Sequence, residues 1–218
     1  NRSELVSRNI STVIRNLIEG AIIVFLVLII FLGNVRAGVI VASVIPLAML
    51  FAFILMRIFG VSANLMSLGA IDFGIVVDGS IVILEGILAH LYSGPNLGKR
   101  LSHREMDEQV IAGASKVVRS ATFAVIIILI VFFPILTLTG IEGKYFTPMA
   151  KTLVFCIIGA LLLSLTYVPM MSSLFLKHRI NAKPTFADRF FKWLNRIYQR
   201  CLAVCLRFSW ATVCVAVA

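Results

Sequence analysis

Gly69-Ala-Ile-Asp-Phe-Gly-Ile-Val-Val-Asp-Gly-Ser-Ile-Val-Ile-Leu-Glu85 sits inside a longer apolar stretch, Ala63–Leu91. A run of that length and hydrophobicity reads as a membrane-spanning helix. Yet it carries Asp72, Asp78 and Glu85, three of the ten acidic residues in the chain. A charged side chain at the centre of a bilayer costs about 2.5–3.5 kcal/mol on insertion scales. Carboxylates kept at such a cost point first to an ion or proton pathway, and the remainder of the sequence is judged against that expectation.

Composition agrees with a polytopic membrane protein. Of 218 residues 60% are hydrophobic and 14% charged, and the mean hydropathy is +1.02, outside the range of soluble globular domains. The formal net charge of +10 does not indicate nucleic acid. Lys and Arg cluster at the ends of apolar runs, which is a topology pattern and not a phosphate-binding face. Cys156, Cys201, Cys205 and Cys214 form no disulfide framework; Cys201 and Cys205, one helical turn apart, read as packing residues rather than metal ligands. No cofactor site is expected.

The fold expected is all-α, a transmembrane helix bundle of five complete spans and a truncated sixth. The spans run Leu17–Leu32, Ala37–Phe59 (with Pro46 inside), Ala63–Leu91, Ala121–Thr137 (interrupted by Pro134) and Leu153–Phe175 (with Pro169 near its end). Residues 1–16 are a polar helical lead-in, expected to come from a periplasmic domain outside this sequence, and 17–176 form the bundle. Within 177–208, Phe186, Phe190, Leu194, Ile197, Cys201 and Cys205 make an apolar stripe. Arg189, Lys192, Arg196, Arg200 and Arg207 lie mostly off it, as in a basic amphipathic helix on the inner membrane surface. Residues 209–218 read as the start of the next transmembrane helix. With no initiator Met and an incomplete last span, the chain is expected to be a piece of a larger protein. Most Lys and Arg fall in the turn 33–36, the loop 92–119 and the segment 177–207; Arg57, Lys144 and Lys151 fall on the other side. The positive-inside rule puts the first group in the cytoplasm.

Helical arithmetic places the acids. Asp78 and Glu85 are about 10.5 Å apart along the axis and nearly in register on one face. Asp72 lies about 9 Å before Asp78 and roughly a third of a turn round. Desolvation disfavours the charged carboxyl and a neighbouring cation favours it. A group held between the two can load a proton from one side and release it to the other. Ser67, Gly69, Ala70, Gly74, Gly79 and Ser80 surround these acids, and small residues let another helix come close, so the carboxyls are expected against protein and not lipid. The plainer reading makes them assembly contacts to Lys or Arg on neighbouring spans, but no basic residue lies deep in the other spans here. An aspartyl protease fails on geometry. Its two carboxyls must share a proton at about 3 Å, and these point apart on one helix.

From Asn64 to Glu85 the sequence resembles the fourth transmembrane helix of resistance-nodulation-division (RND) efflux pumps, most of all the heavy-metal branch of the cobalt–zinc–cadmium type. Phe31-Leu-Gly-Asn-Val-Arg-Ala-Gly-Val-Ile-Val-Ala-Ser-Val-Ile-Pro-Leu-Ala48 is similar to that family's second and third helices. The resemblance covers the whole chain, as helices two to six, a surface helix and the start of helix seven. Two positions depart from it. Gly86 stands where the family commonly has Asn, and Val76 where the silver/copper branch has Met. Lacking that thioether, the pattern favours divalent zinc, cobalt, cadmium or nickel over soft monovalent ions.

The resemblance implies a secondary transporter and not an enzyme: a proton antiporter of the Gram-negative inner membrane, multi-pass and homotrimeric. A periplasmic adaptor and an outer-membrane channel would complete its conduit. Proton translocation would fall to Asp78 as principal site, with Asp72 and Glu85. The ligands would be protons, metal cations and membrane lipid. The competing readings are an RND exporter of drugs or lipids and a non-transporting membrane assembly subunit.

Overall fold

The computed structural model describes residues 2–61, 73–92 and 101–176, together with scattered helical residues between 195 and 206. Two compact units are separated at Ala182/Lys183. Among the described residues of the first, five helices account for nearly everything: α1 (Arg2–Leu32), α2 (Val35–Ile58), α3 (Phe73–Tyr92), α4 (His103–Leu136) and α5 (Gly140–Phe175). Four of them, α2 to α5, are long and apolar enough to cross a membrane; the apolar part of α1, Ile18–Leu32, is shorter. The all-α transmembrane bundle expected from the sequence is what the described residues form.

The helix ends follow from local chemistry. Gly33, at φ 58°, takes the left-handed conformation that closes α1, and its N–H bonds to Ile29 O at 3.1 Å. Asn34 then caps α2, its Oδ1 accepting from the Arg36 N–H at 3.1 Å. The second turn-former, Gly60 at φ 63°, follows the C-cap Phe59 of α2.

Two helices begin well before their apolar runs. The span expected at Ala121–Thr137 belongs to a helix starting at His103, so most of the expected loop 92–119 is helical. Its start is fixed by a capping pair, the Ser102 N–H donating to Glu105 Oε2 at 2.7 Å. The span expected at Leu153–Phe175 starts at Gly140, after the N-cap Thr139, leaving a link of only three residues, 137–139. Charged Glu142, Lys144 and Lys151 mask that first stretch in any hydropathy window, yet nothing in 140–152 breaks a helix, since Pro148 leaves it unbroken. The third span is described from Phe73 onward. Residues 62–72, the surface helix expected at 177–208 (apart from a few helical positions) and the segment 209–218 lie outside the described residues.

The core runs between α2, α3 and α5, with α4 packed against α3 and α5. Val41, Val44, Ile83, Leu84, Ile87, Ile157 and Val168 are fully buried there. Glycine sets how closely the helices approach. Gly159 faces the Phe51 ring and Gly38 lies against Ile29. Away from this core the apolar half of α4 points outward, with Ile130 63% and Phe133 65% exposed. Such a surface is stable only against lipid or another apolar partner. Across the bundle, Arg36 donates from Nη1 to the backbone oxygen of Phe175 at 3.0 Å and so caps the end of α5. Ser43 and Tyr167 join α2 to α5 through their hydroxyls at 2.9 Å.

Candidate functional site

Helix α3 has two unlike faces. Val76, Val77, Gly79, Ser80, Ile83, Leu84, Ile87 and Leu88 are buried. Asp78, Val82, Glu85 and Ala89 form an exposed stripe on the opposite side. Their spacing of four, three and four residues is that of one helical face. The structure therefore brings Asp78 and Glu85 together, as helical arithmetic requires. Asp72 lies outside the described residues.

The small residues next to the acids do something other than expected. The sequence suggests that they bury the carboxyls, but Gly79, Ser80 and Gly86 lie round the helix from them and serve the packing of α3 on its neighbours. A Cβ at Gly79 would lie 3.5 Å from Ser164 Oγ and from Val125 Cγ2, an ordinary contact. One at Gly86 would run into Val117, with Cγ1 at 2.9 Å. From the other side, Gly113 of α4 approaches the α3 backbone, where a Cβ would lie 2.9 Å from Ile87 Cα. These glycines let α3 and α4 pack backbone to backbone. The departure at Gly86 then has a physical reason, because an asparagine side chain does not fit beside Val117. Asp78 and Glu85 lie on the exposed face of α3.

Two polar features on α3 escape a reading of the sequence. Ser80 is fully buried and its Oγ has no partner among the described residues. The buried Ser164 and Ser172 instead bond back to their own helix, to Leu161 O at 2.8 Å and Val168 O at 2.7 Å. Five residues beyond Glu85, His90 Nδ1 lies 3.0 Å from Lys116 Nζ, a polar tie between α3 and α4. Only the i, i+4 pair Arg15–Glu19 in α1, at 2.7 Å, is defined as a salt bridge among the described residues. No group of three or more His, Cys, Asp or Glu able to hold a metal occurs among them. What the arrangement offers is two carboxyls, Asp78 and Glu85, on one exposed helical face.

The chain matches the model of the AcrB/AcrD/AcrF family over residues 1–218. It is 44% identical over 227 residues to the cobalt-zinc-cadmium resistance protein CzcA of Cupriavidus metallidurans, covering 100% of this chain and 21% of that protein. To the nickel-cobalt-cadmium resistance protein NccA of Alcaligenes xylosoxydans xylosoxydans it is 44% identical over 184 residues, covering 84% and 17%. The crystal structure of a heavy metal efflux pump (crystal form II) superimposes with a TM-score of 0.77 at 36% identity, covering 100% of this chain and 19% of that one. The chain thus spans about a fifth of the length of the relatives it matches.

Proposed function

Because the chain belongs to the AcrB/AcrD/AcrF family, and its relatives include heavy-metal pumps of the RND type, we propose that it supplies part of the proton-relay transmembrane domain of an RND antiporter. The cargo is a divalent heavy-metal cation: zinc, cobalt, cadmium or nickel. What carries this reading is the placement of Asp78 and Glu85 on one face of α3, turned away from the core that holds the helix in place. A proton binding to Asp78 there removes a charge from the face that meets the rest of the transporter. The attraction between α3 and its facing element changes without disturbing the α3–α4–α5 packing. Each proton moved down a membrane potential supplies about 2.3 kcal/mol per 100 mV, enough for a few protons to drive a conformational cycle. Asp72, at the opposite end of the span from Glu85, would extend the relay.

In this reading the full-length protein is a homotrimer of the Gram-negative inner membrane, joined to a periplasmic adaptor and an outer-membrane channel. Residues 177–208 would contribute a basic surface helix and 209–218 the start of a further span. The test uses the full-length transporter in Gram-negative cells, comparing zinc, cobalt and cadmium tolerance of the wild type with Asp78→Asn at matched membrane levels. Loss of tolerance is expected. Unchanged tolerance in the variant would remove Asp78 from the mechanism, and a wild type that protects against no metal would give precedence to a drug or lipid exporter.

A further inference from the structure

At the end of the bundle formed by the close of α2 and the α4–α5 turn, the chain encloses an open depression of about 420 Å³. Phe59, Gly60, Thr139, Thr147, Lys144 and Lys151 are among the residues that line it. The two lysines are seven residues apart on α5, on one helical face. On the topology drawn from the sequence, this side of the membrane holds only three Lys or Arg between spans, Arg57, Lys144 and Lys151. Two of the three therefore converge on one cavity, a clustering that the positive-inside rule does not explain.

The rim identifies the occupant. Phe59, which lines it, is 65% exposed, and Tyr145 and Phe146 are exposed on other faces of the same end of α5. Phe59 stacks on Phe155 with centroids 5.5 Å apart, leading from the depression down an apolar flank. Exposed aromatics at the end of apolar helices are the pattern of the membrane–water interface. The Thr139 and Thr147 hydroxyls and the first N–H groups of α5 add donors to the lysines. Gly60 and Gly140, both at positive φ, have open space where a side chain would stand, so the mouth is clear. A cationic hollow with hydroxyl donors and an apolar exit suits an amphiphile with an anionic head and does not suit a metal ion. We propose that this depression binds the headgroup phosphate of an anionic phospholipid, its acyl chains running along Phe59 and Phe155.

The test places a reporter at the rim, Phe59→Trp, in the full-length transporter. It reads the added tryptophan fluorescence quenched by brominated phosphatidylglycerol against brominated phosphatidylethanolamine in vesicles. Each basic residue near a lipid phosphate favours an anionic lipid about fivefold, so a preference of about fivefold or more for phosphatidylglycerol is expected. It should fall close to one in Lys144→Gln/Lys151→Gln and persist in Lys116→Gln, a lysine of α4 next to His90. Equal quenching by both lipids in the parent, or a preference untouched by the double substitution, would overturn the proposal. Suppression of the preference by millimolar inorganic phosphate would reassign the depression to a soluble oxyanion and overturn the lipid assignment. Retained quenching by both lipids at equal strength shows that a variant is folded and inserted.

Discussion

Substituting Gly86 by alanine tests how tightly α3 is locked against α4. The new methyl would sit 2.9 Å from Val117 Cγ1 and 3.3 Å from its Cβ, with Cγ2 closer still. Val117 is half-buried against the core, and a β-branched side chain in a helix has essentially one χ1 rotamer, so it cannot swing aside. Forcing a methyl into a packed site costs about 1–3 kcal/mol, while Gly→Ala recovers up to about 1 kcal/mol of helix propensity. The net expectation is a loss of about 1 kcal/mol. Its signature is pairwise: adding Val117→Ala removes the collision, so the double variant should be more stable than the sum of the singles by about 1–2 kcal/mol. Gly79→Ala, whose methyl would meet only ordinary contacts, is the control and should gain up to about 1 kcal/mol from helix propensity alone. Gly113→Ala collides with backbone at Ile87 and at Gly86 O, the latter 3.2 Å away, and should cost more than Gly86→Ala with no single rescue. Reversible unfolding of the purified full-length transporter in mixed micelles, titrated with a denaturing detergent, reads all of these. A coupling between positions 86 and 117 within about 0.3 kcal/mol of zero, or a Gly86→Ala protein more stable than its parent, would refute the packing argument.

Other substitutions separate structure from mechanism. Asp78→Asn should abolish metal tolerance in cells at membrane levels matched to the wild type, the readout being growth on zinc, cobalt and cadmium. Ser80→Ala should raise stability by about 1 kcal/mol in the same titration, since it removes a buried hydroxyl without a described partner. Arg36→Ala should cost about 1 kcal/mol through loss of the bond to Phe175 O, and Arg36→Lys should restore only part of it. Glu105→Ala should fray the start of α4 at a cost of about 1 kcal/mol, seen as faster amide exchange in the turn after Ser102.

What could be read in advance depended on whether one side chain or a pair of surfaces decided the outcome. The apolar run between Phe73 and Leu91 and the spacing of Asp78 and Glu85 depend only on helical period, so the all-α class and the shared acid face were both legible. So was the family resemblance, carried by residues 64–85. The starts of α4 and α5 were obscured because hydropathy registers the membrane-embedded part of a helix and not its polar extension. For α4 a signal was present in Ser102-His-Arg-Glu105, a capping box that marks the true start. The division of labour among the small residues was not legible, because a glycine looks the same whether it faces a carboxyl or a neighbouring helix. Only the positions of Val117, Val125 and Ser164 show that Gly79 and Gly86 belong to packing. The His90–Lys116 tie and the convergence of Lys144 and Lys151 on one hollow are tertiary, and sequence spacing could at most place the two lysines on one face.

Helices α4 and α5, at 34 and 36 residues, are roughly 51 and 54 Å long against a hydrocarbon thickness of about 30 Å. Tilt alone cannot hide such rods, so their ends stand in water or among headgroups. A rigid rocking of about 10° about the middle of either rod displaces its two ends by roughly 4–5 Å in opposite directions. Because α3 packs tightly on α4 at Gly86 and Gly113, a change of charge on α3 in the proposed relay would be mechanically geared to both surfaces at once. Neither surface needs a hinge of its own to feel it.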